Sequence, residues 1–168
     1  MTEPKRYYGK YRGLVIGNDD MAGRGRILAL VAEVTGTTPT IWAEPCVPLA
    51  GINAGILALP AIGSSVWIEY EKGDVNAPIW TGCLWPNAAE LPKKAPKPTP
   101  FASITLQLTG GVHLVVSDNP SEGITLGTVD GARIQISQTG ISLDNGKGAT
   151  ITLSGTSVDI NKGALRVT

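Results

Sequence analysis

The chain has 168 residues and balances 14 basic against 14 acidic side chains, so no net field would recruit a polyanion, which argues against a nucleic-acid partner. A hydrophobic fraction of 42% excludes a disordered chain, while 21 glycines, 12 prolines and only 5% aromatics favour short strands and tight turns over long helices. No window reaches the roughly 20 apolar residues of a membrane-spanning helix, and the expectation is an all-β protein of one or two small domains.

Residues 1–12 form a charged leader with no apolar run behind it, which predicts a chain made and kept soluble in the cytoplasm. Tyr7, Tyr8 and Tyr11 lie in or at the end of that leader without a visible strand partner, and aromatics in a basic tail become ordered against another subunit. Five strand-like stretches follow at residues 10–16, 24–34, 41–47, 65–71 and 77–84, separated by Gly, Pro and Asp turns, and together they predict a small barrel. In the fourth, Val66, Ile68 and Tyr70 alternate with Trp67, Glu69 and Glu71, so the first three belong on the core face. Residues 72–76 turn the chain into a hairpin, with Gly73 supplying a positive φ. Cys46 and Cys83 sit in strand-like apolar surroundings, which predicts two buried free thiols in a reducing compartment.

All four tryptophans precede residues 87–100, where Pro92, Pro96, Pro98 and Pro100 leave no hydrophobic period and predict an extended linker. Beyond it, over residues 101–168, aliphatics recur at alternate positions: Ile104 and Leu106, Leu114 and Val116, Ile124 and Leu126, Ile134 and Ile136, Ile141 and Leu143, Ile151 and Leu153, Val158 and Ile160, Leu165 and Val167. Glycines at 111, 123, 131, 140, 148, 155 and 163 separate these bursts at intervals of about eight residues. A strand with two or three inward aliphatics and so short a repeat cannot enclose a core, yet each buried aliphatic is worth ~1.5–3 kcal/mol. Other copies of the chain must cover the stripe. The pattern predicts an intertwined trimeric β-prism whose strand edges are paired between chains.

Candidate chemistry is sparse. His113 is the only histidine and the cysteines lack CxxC spacing, so one chain has no ordinary ligand set for zinc or iron unless three copies of His113 meet on an axis. Leu114 and Val116 set the apolar parity, so His113 is expected to face outward, and no Ser-His-Asp arrangement follows. Gly146-Lys147 is followed by Gly148 where a phosphate loop needs Ser or Thr, and it reads as a β-turn. Glu69 and Glu71 share a solvated strand face and do not span a cleft as an acid and base must. Trp42, Trp67, Trp80 and Trp85 have the rings to stack on bases or sugars, but without a basic groove they read as core and interface residues. No catalytic residue, cofactor or metal is predicted.

The run from Leu59 to Gly82 carries Pro60-x-x-Gly63, a strand, Gly73-Asp74-x-x-x-Pro78, a second strand and Gly82. With Gly25-Arg26-Ile27 and Ile41-Trp42-Ala43-Glu44-Pro45 upstream, it resembles, over residues 13–86, an OB-fold domain. That domain is shared by phage baseplate assembly protein V, the central spike proteins of contractile tails and the VgrG proteins of type VI secretion. In that family a triple-stranded β-helix follows the OB domain, and the glycine-punctuated repeat after Phe101 is similar to it in position and period. The resemblance implies an all-β homotrimer, with Pro60, Gly63, Gly73, Asp74, Pro78 and Gly82 as structural motif residues. It implies a baseplate hub as partner, with Tyr7, Tyr8 and Tyr11 as candidate contacts, and a puncturing role against a target-cell membrane. The machine would be a phage tail, tailocin, extracellular injection particle or type VI-like system. The sequence has no lysozyme-like insert and no His-x-His pair near its end, which implies mechanical puncture without wall digestion. It also implies a separate conical cap of the PAAR type on Ala164, Leu165, Arg166, Val167 and Thr168. A rival reading is an OB-fold sugar- or nucleic-acid-binding module on a trimeric stalk, with Trp67 on its ligand face. A left-handed β-helix acyltransferase is more remote, because that fold repeats about every six residues.

Overall fold

Strands form where β-branched and aromatic residues alternate with polar ones, and residues 65–70 are a clear such run in the first half of the chain. In the computed structural model, which describes residues 5–95 and 100–168, the chain divides into two units at Glu90 and Leu91. The first contains β1 (Tyr11–Gly17), β2 (Leu28–Leu30), the one-turn helix α1 (Ala32–Thr35), β3 (Glu44–Pro45), the short strands β4 (Ala50–Gly51) and β5 (Ala54–Gly55), then β6 (Ser65–Tyr70) and β7 (Pro78–Leu84).

Five of these strands form one sheet in the order β2-β1-β6-β7-β3, antiparallel throughout except that β3 and β7 run parallel. The sheet closes on itself beside β2 and β3, where Ile27 and Ala43 exchange backbone hydrogen bonds of 3.2 and 2.8 Å and the Thr40 amide donates to the Ala29 carbonyl at 2.8 Å. Closure removes the exposed edges that invite mispairing. The interior is filled by Val15, Ile27, Ala29, Val31, Ala43, Val66, Ile68, Tyr70 and Trp80. Val66 and Ile68 are fully buried and Tyr70 nearly so, as the alternation predicts.

Two predicted strands are shorter than their apolar content suggests. Of residues 24–34 only Leu28–Leu30 are strand, because the Asp20 carboxylate first gathers the amides of Ala22, Arg24 and Arg26 into a loop. After β2 the Val31 carbonyl accepts the amides of Val34 and Thr35 and starts a helical turn. Of residues 41–47 only Glu44–Pro45 pair as a strand, with a bridge at Ala43. Cys46 and Cys83 are free, as expected, but exposed, not buried: Cys83 lies past the register shift near the end of β7, and Cys46 lies just beyond β3.

The proline-rich stretch is only partly extended. Ala88–Glu90 make one 3-10 turn capped by Asn87, whose Oδ1 accepts the Ala89 amide at 2.9 Å and whose Nδ2 donates to Glu90 Oε1 at 2.7 Å. Residues 91–95 belong with the second unit, where the Lys94 amide donates to Gln107 Oε1 at 2.9 Å. The part of the predicted linker at residues 96–99 lies outside the described residues.

The second unit is a meander of β8 (Ser103–Gln107), β9 (His113–Ser117), β10 (Ile124–Gly127), β11 (Ala132–Ser137), β12 (Gly140–Asn145), β13 (Thr150–Ser154), β14 (Ser157–Ile160) and β15 (Leu165–Val167). Each strand pairs antiparallel with the next, giving one eight-stranded sheet in sequence order. A single copy therefore forms no helical coil. The turns holding Gly111, Gly131, Gly148 and Gly163 lie at one edge and those holding Gly123, Gly140 and Gly155 at the other, which accounts for the period of about eight residues. Gly140 shows why glycine is needed: at φ +128 a side chain is strained, and a Cβ would run into the Leu153 carbonyl oxygen. No helix among the described residues is long and apolar enough to cross a membrane.

Candidate functional site

Because every connection in the meander is a hairpin, register decides which residues share a face. Ile104 faces Val116 and Leu106 faces Leu114 across β8 and β9, and the pattern continues with Ile124 opposite Ile136, Leu126 opposite Ile134, Ile134 opposite Leu143, and Leu143 opposite Ile151. It ends with Ile160 opposite Leu165 and Val158 opposite Val167. The paired aliphatics thus form one unbroken stripe two residues wide across all eight strands. In the single chain most of that stripe is open: Ile104 is 64% and Ile141 37% exposed, while Leu114, Val158 and Ile160 are half-buried. An apolar groove of about 680 Å³ runs along it, lined among others by Leu126, Ile134, Leu143, Ile151 and Ile160.

Among the described residues Val115 is the only buried hydrophobic of this unit, and it lies on the opposite, polar parity with Thr105, Thr125 and Gln135. A domain that stood alone would have the reverse arrangement. His113 shares this polar face, so it points away from the stripe as expected, but it is buried, not exposed. Its ring lies against Gly127, where a Cβ would come within 2.6 Å of Cε1 and Nε2, and Nδ1 donates to the Gly111 carbonyl at 2.9 Å. No group of three His, Cys, Asp or Glu side chains among the described residues could hold a metal ion. Glu69 pairs with Lys10 on the barrel surface, and the Gly146 and Lys147 amides are held by the Asp144 and Asn145 side chains in a tight turn.

The tyrosines of the leader divide. Tyr11 opens β1 opposite Ile68, and the rings of Tyr7, Tyr11 and Tyr70 cluster with centroids 5.8 to 6.2 Å apart. The Tyr7 amide donates to the Gly73 carbonyl at 3.0 Å, so the leader is tied to its own barrel, while Tyr8 remains largely exposed. The buried Tyr70 hydroxyl has no hydrogen-bond partner, and burial, with Tyr11 and Tyr7 adding, pushes its pKa up to about 12. Trp80 is buried and donates Nε1–H to the Gly25 carbonyl at 3.1 Å. Trp42 and Trp67 lie beneath the guanidinium groups of Arg26 and Arg12, and Trp85 is exposed.

The motif residues do structural work that can be seen atom by atom. Asn18 donates to the buried Pro60 carbonyl at 2.9 Å, and the Gly63 amide donates to the Val15 carbonyl at 2.8 Å. Gly73, at φ +75, leaves room for Tyr7 and Tyr8, and Asp74 Oδ1 accepts the Asn76 amide. Pro78 is fully buried at the start of β7, and Gly82, at φ +133, sits where the β6–β7 register shifts. At the far end β15 pairs only with β14, leaving Leu165 and Val167 more than half exposed beside the exposed Ala164 and Thr168. Arg166 pairs opposite Asp159 in that strand.

Sequence reasoning passed over one site, the ion pair of Asp20 with Arg26. The Asp20 side chain is only 4% exposed and takes Nε–H at 3.1 Å and Nη2–H at 2.6 Å from Arg26, which together with three backbone amides holds its carboxyl far below the usual range. The Asn18-Asp19-Asp20 cluster was the available signal.

A closed barrel with parallel β3 and β7, followed by a sheet that leaves its apolar side uncovered, is an oligonucleotide/oligosaccharide-type barrel joined to an assembly domain. Comparison with known families agrees. Residues 11–85 match the type VI secretion system/phage-baseplate injector OB domain, and residues 103–166 match the phage baseplate V C-terminal trimerisation domain. The two matches span most of the chain, which belongs to the phage baseplate V family of spike and VgrG-like proteins. It is a homotrimeric component of a baseplate spike in a phage or secretion-system particle. No curated protein matches the chain.

Proposed function

We propose that this chain is the membrane-puncturing spike at the centre of a contractile injection baseplate. The observation that carries the reading is the unbroken aliphatic stripe from β8 to β15, which a single copy leaves open and two sister copies would bury. Three such sheets wound about one axis give a rod that bends only if many inter-chain contacts break together. Sheath contraction would push on the barrels through the hub, with Tyr8 as the leader's exposed aromatic contact, and the rod would pass that force to its tip. The role involves no covalent chemistry and no cofactor. A PAAR-type cap would close the tip on Ala164, Leu165, Arg166, Val167 and Thr168, where β15 has an unpaired edge. Particles are assembled in the producing cell's cytoplasm and act outside it.

The test uses whole particles. Assembled with a chain ending at residue 102, they should contract normally yet fail to release a dye from target cells. Full dye release by such particles would refute the puncturing role.

A further inference from the structure

The barrel unit carries an apolar surface that its own fold does not use. Residues 45–68 contain no Asp, Glu, Lys or Arg, although 17% of the chain is charged. Within that run β4 and β5 form a tight hairpin, with Ala50 opposite Gly55, Gly51 opposite Ala54, and the Ile56 amide donating to the Leu49 carbonyl at 3.0 Å. Glycine is required at position 55, since a Cβ there would come within 2.8 Å of the Leu49 carbonyl oxygen. The hairpin is thus a built element. Yet Ile52 at its tip is 96% exposed, and Leu49, Ile56 and Leu57 are each more than half exposed. Contiguous apolar exposure on a soluble protein marks an interface.

A second, different apolar surface lies on the outside of the same barrel. Val15 and Ala29 point inward, so Leu14 and Leu30, directly opposite each other, lie on the outer face; past a register shift after Val15, Ile16 is exposed and Leu28 lies opposite Gly17, with Leu28 and Leu30 half-buried. A cyclic trimer needs two unlike surfaces on each copy, one to give and one to receive, because its contacts are heterologous. Residues 91–102 span at most roughly 40 Å even when fully extended, so three barrels tethered to one trimerisation domain are held at high local concentration.

We propose that the three barrels close into a ring in which the β4–β5 hairpin of one copy lies on the outer face of β1 and β2 of the next. This rests on the trimeric spike reading and adds the surfaces by which the collar itself is built. Neither residues 45–68 nor Leu14, Ile16, Leu28 and Leu30 carry a charge, which suits a contact between identical copies; Arg12, on the same outer parity as Leu14, is turned over the Trp67 ring.

The test is thiol labelling of the full-length chain with Cys46 and Cys83 changed to serine. Ile52→Cys and Ile16→Cys are compared with Thr37→Cys, an exposed turn position that belongs to neither surface. In the purified trimer both should react with a maleimide at least about tenfold more slowly than the control, as burial removes most of their accessible area. Adding Ile52→Asp to the Ile16→Cys chain should restore its labelling, a change that a merely misplaced hairpin would not produce at a strand on another element. Labelling of Ile16→Cys and Ile52→Cys at the control rate in a chain that light scattering shows to be trimeric overturns the ring, as does protection only after a hub protein is added. A monomeric chain is a separate result, because it removes the trimeric reading on which the ring depends.

Discussion

Replacing Leu106 by alanine measures how much of the second unit's stability comes from sister copies. Leu106 is 61% exposed in one chain, so other copies supply about three-fifths of its burial. With ~1.5–3 kcal/mol for full burial of such a side chain, that share is about 0.9–1.8 kcal/mol per copy and about 3–5 kcal/mol per trimer. The association constant should then fall by roughly two to four powers of ten. Because a trimer's midpoint concentration scales with the square root of that constant, the midpoint should rise by about one to two powers of ten. Sedimentation velocity over a dilution series at one fixed urea concentration reads the shift. Thr105→Ala, one residue away on the opposite parity, is the control: its buried Oγ1 has no hydrogen-bond partner, so losing it should leave the midpoint in place. Equal shifts for both variants, or no shift for Leu106→Ala, would refute the claim that the stripe is buried between copies.

Other expectations follow from single atoms. Gly140→Ala should destabilise the full-length trimer by about 1–3 kcal/mol per copy or more, since strain at φ +128 adds to the collision with the Leu153 carbonyl. Gly148→Ala, also at positive φ but with open space around it, should cost about 1 kcal/mol, and urea midpoints will rank the two. Tyr70 has its pKa raised in the fold, so its contribution is intact below the ordinary phenol value of about 10 and is lost as pH rises toward about 12. Tyr70→Phe should remove that alkaline loss, and at neutral pH it should be neutral or stabilising, because the hydroxyl has no partner. Asp20 has its pKa lowered, so its contribution is present above about pH 4 and disappears as pH falls through the folded value. Acid titration followed by the fluorescence of Trp80, which bonds the same loop at Gly25, should lose this low-pH step in Asp20→Asn.

The aliphatic alternation over residues 101–168 determined by itself that the second unit would expose a stripe, because period-2 patterning assigns faces whatever the strands pair with. Parity likewise placed Val66, Ile68 and Tyr70 in the barrel core, and the Pro60 to Gly82 motif located the β6–β7 hairpin. Backbone demand made Gly73 and Gly140 legible as turn residues. What sequence could not decide was set by contacts between residues distant along the chain. The extent of β2 depends on where the Asp20 carboxylate finds its amides. The burial of His113 on a polar face depends on Gly127 coming beneath its ring from the next strand, and Tyr7 and Tyr11 found partners only once Tyr70 had been brought beside them. Cys46 and Cys83 turned outward for a similar reason, since an apolar neighbourhood in sequence does not fix which side of a closed barrel a residue faces. Whether the hairpin at Ile52 is covered by its own barrel was also a question only the tertiary structure could answer, because a run without charge reads the same in a core as at an interface.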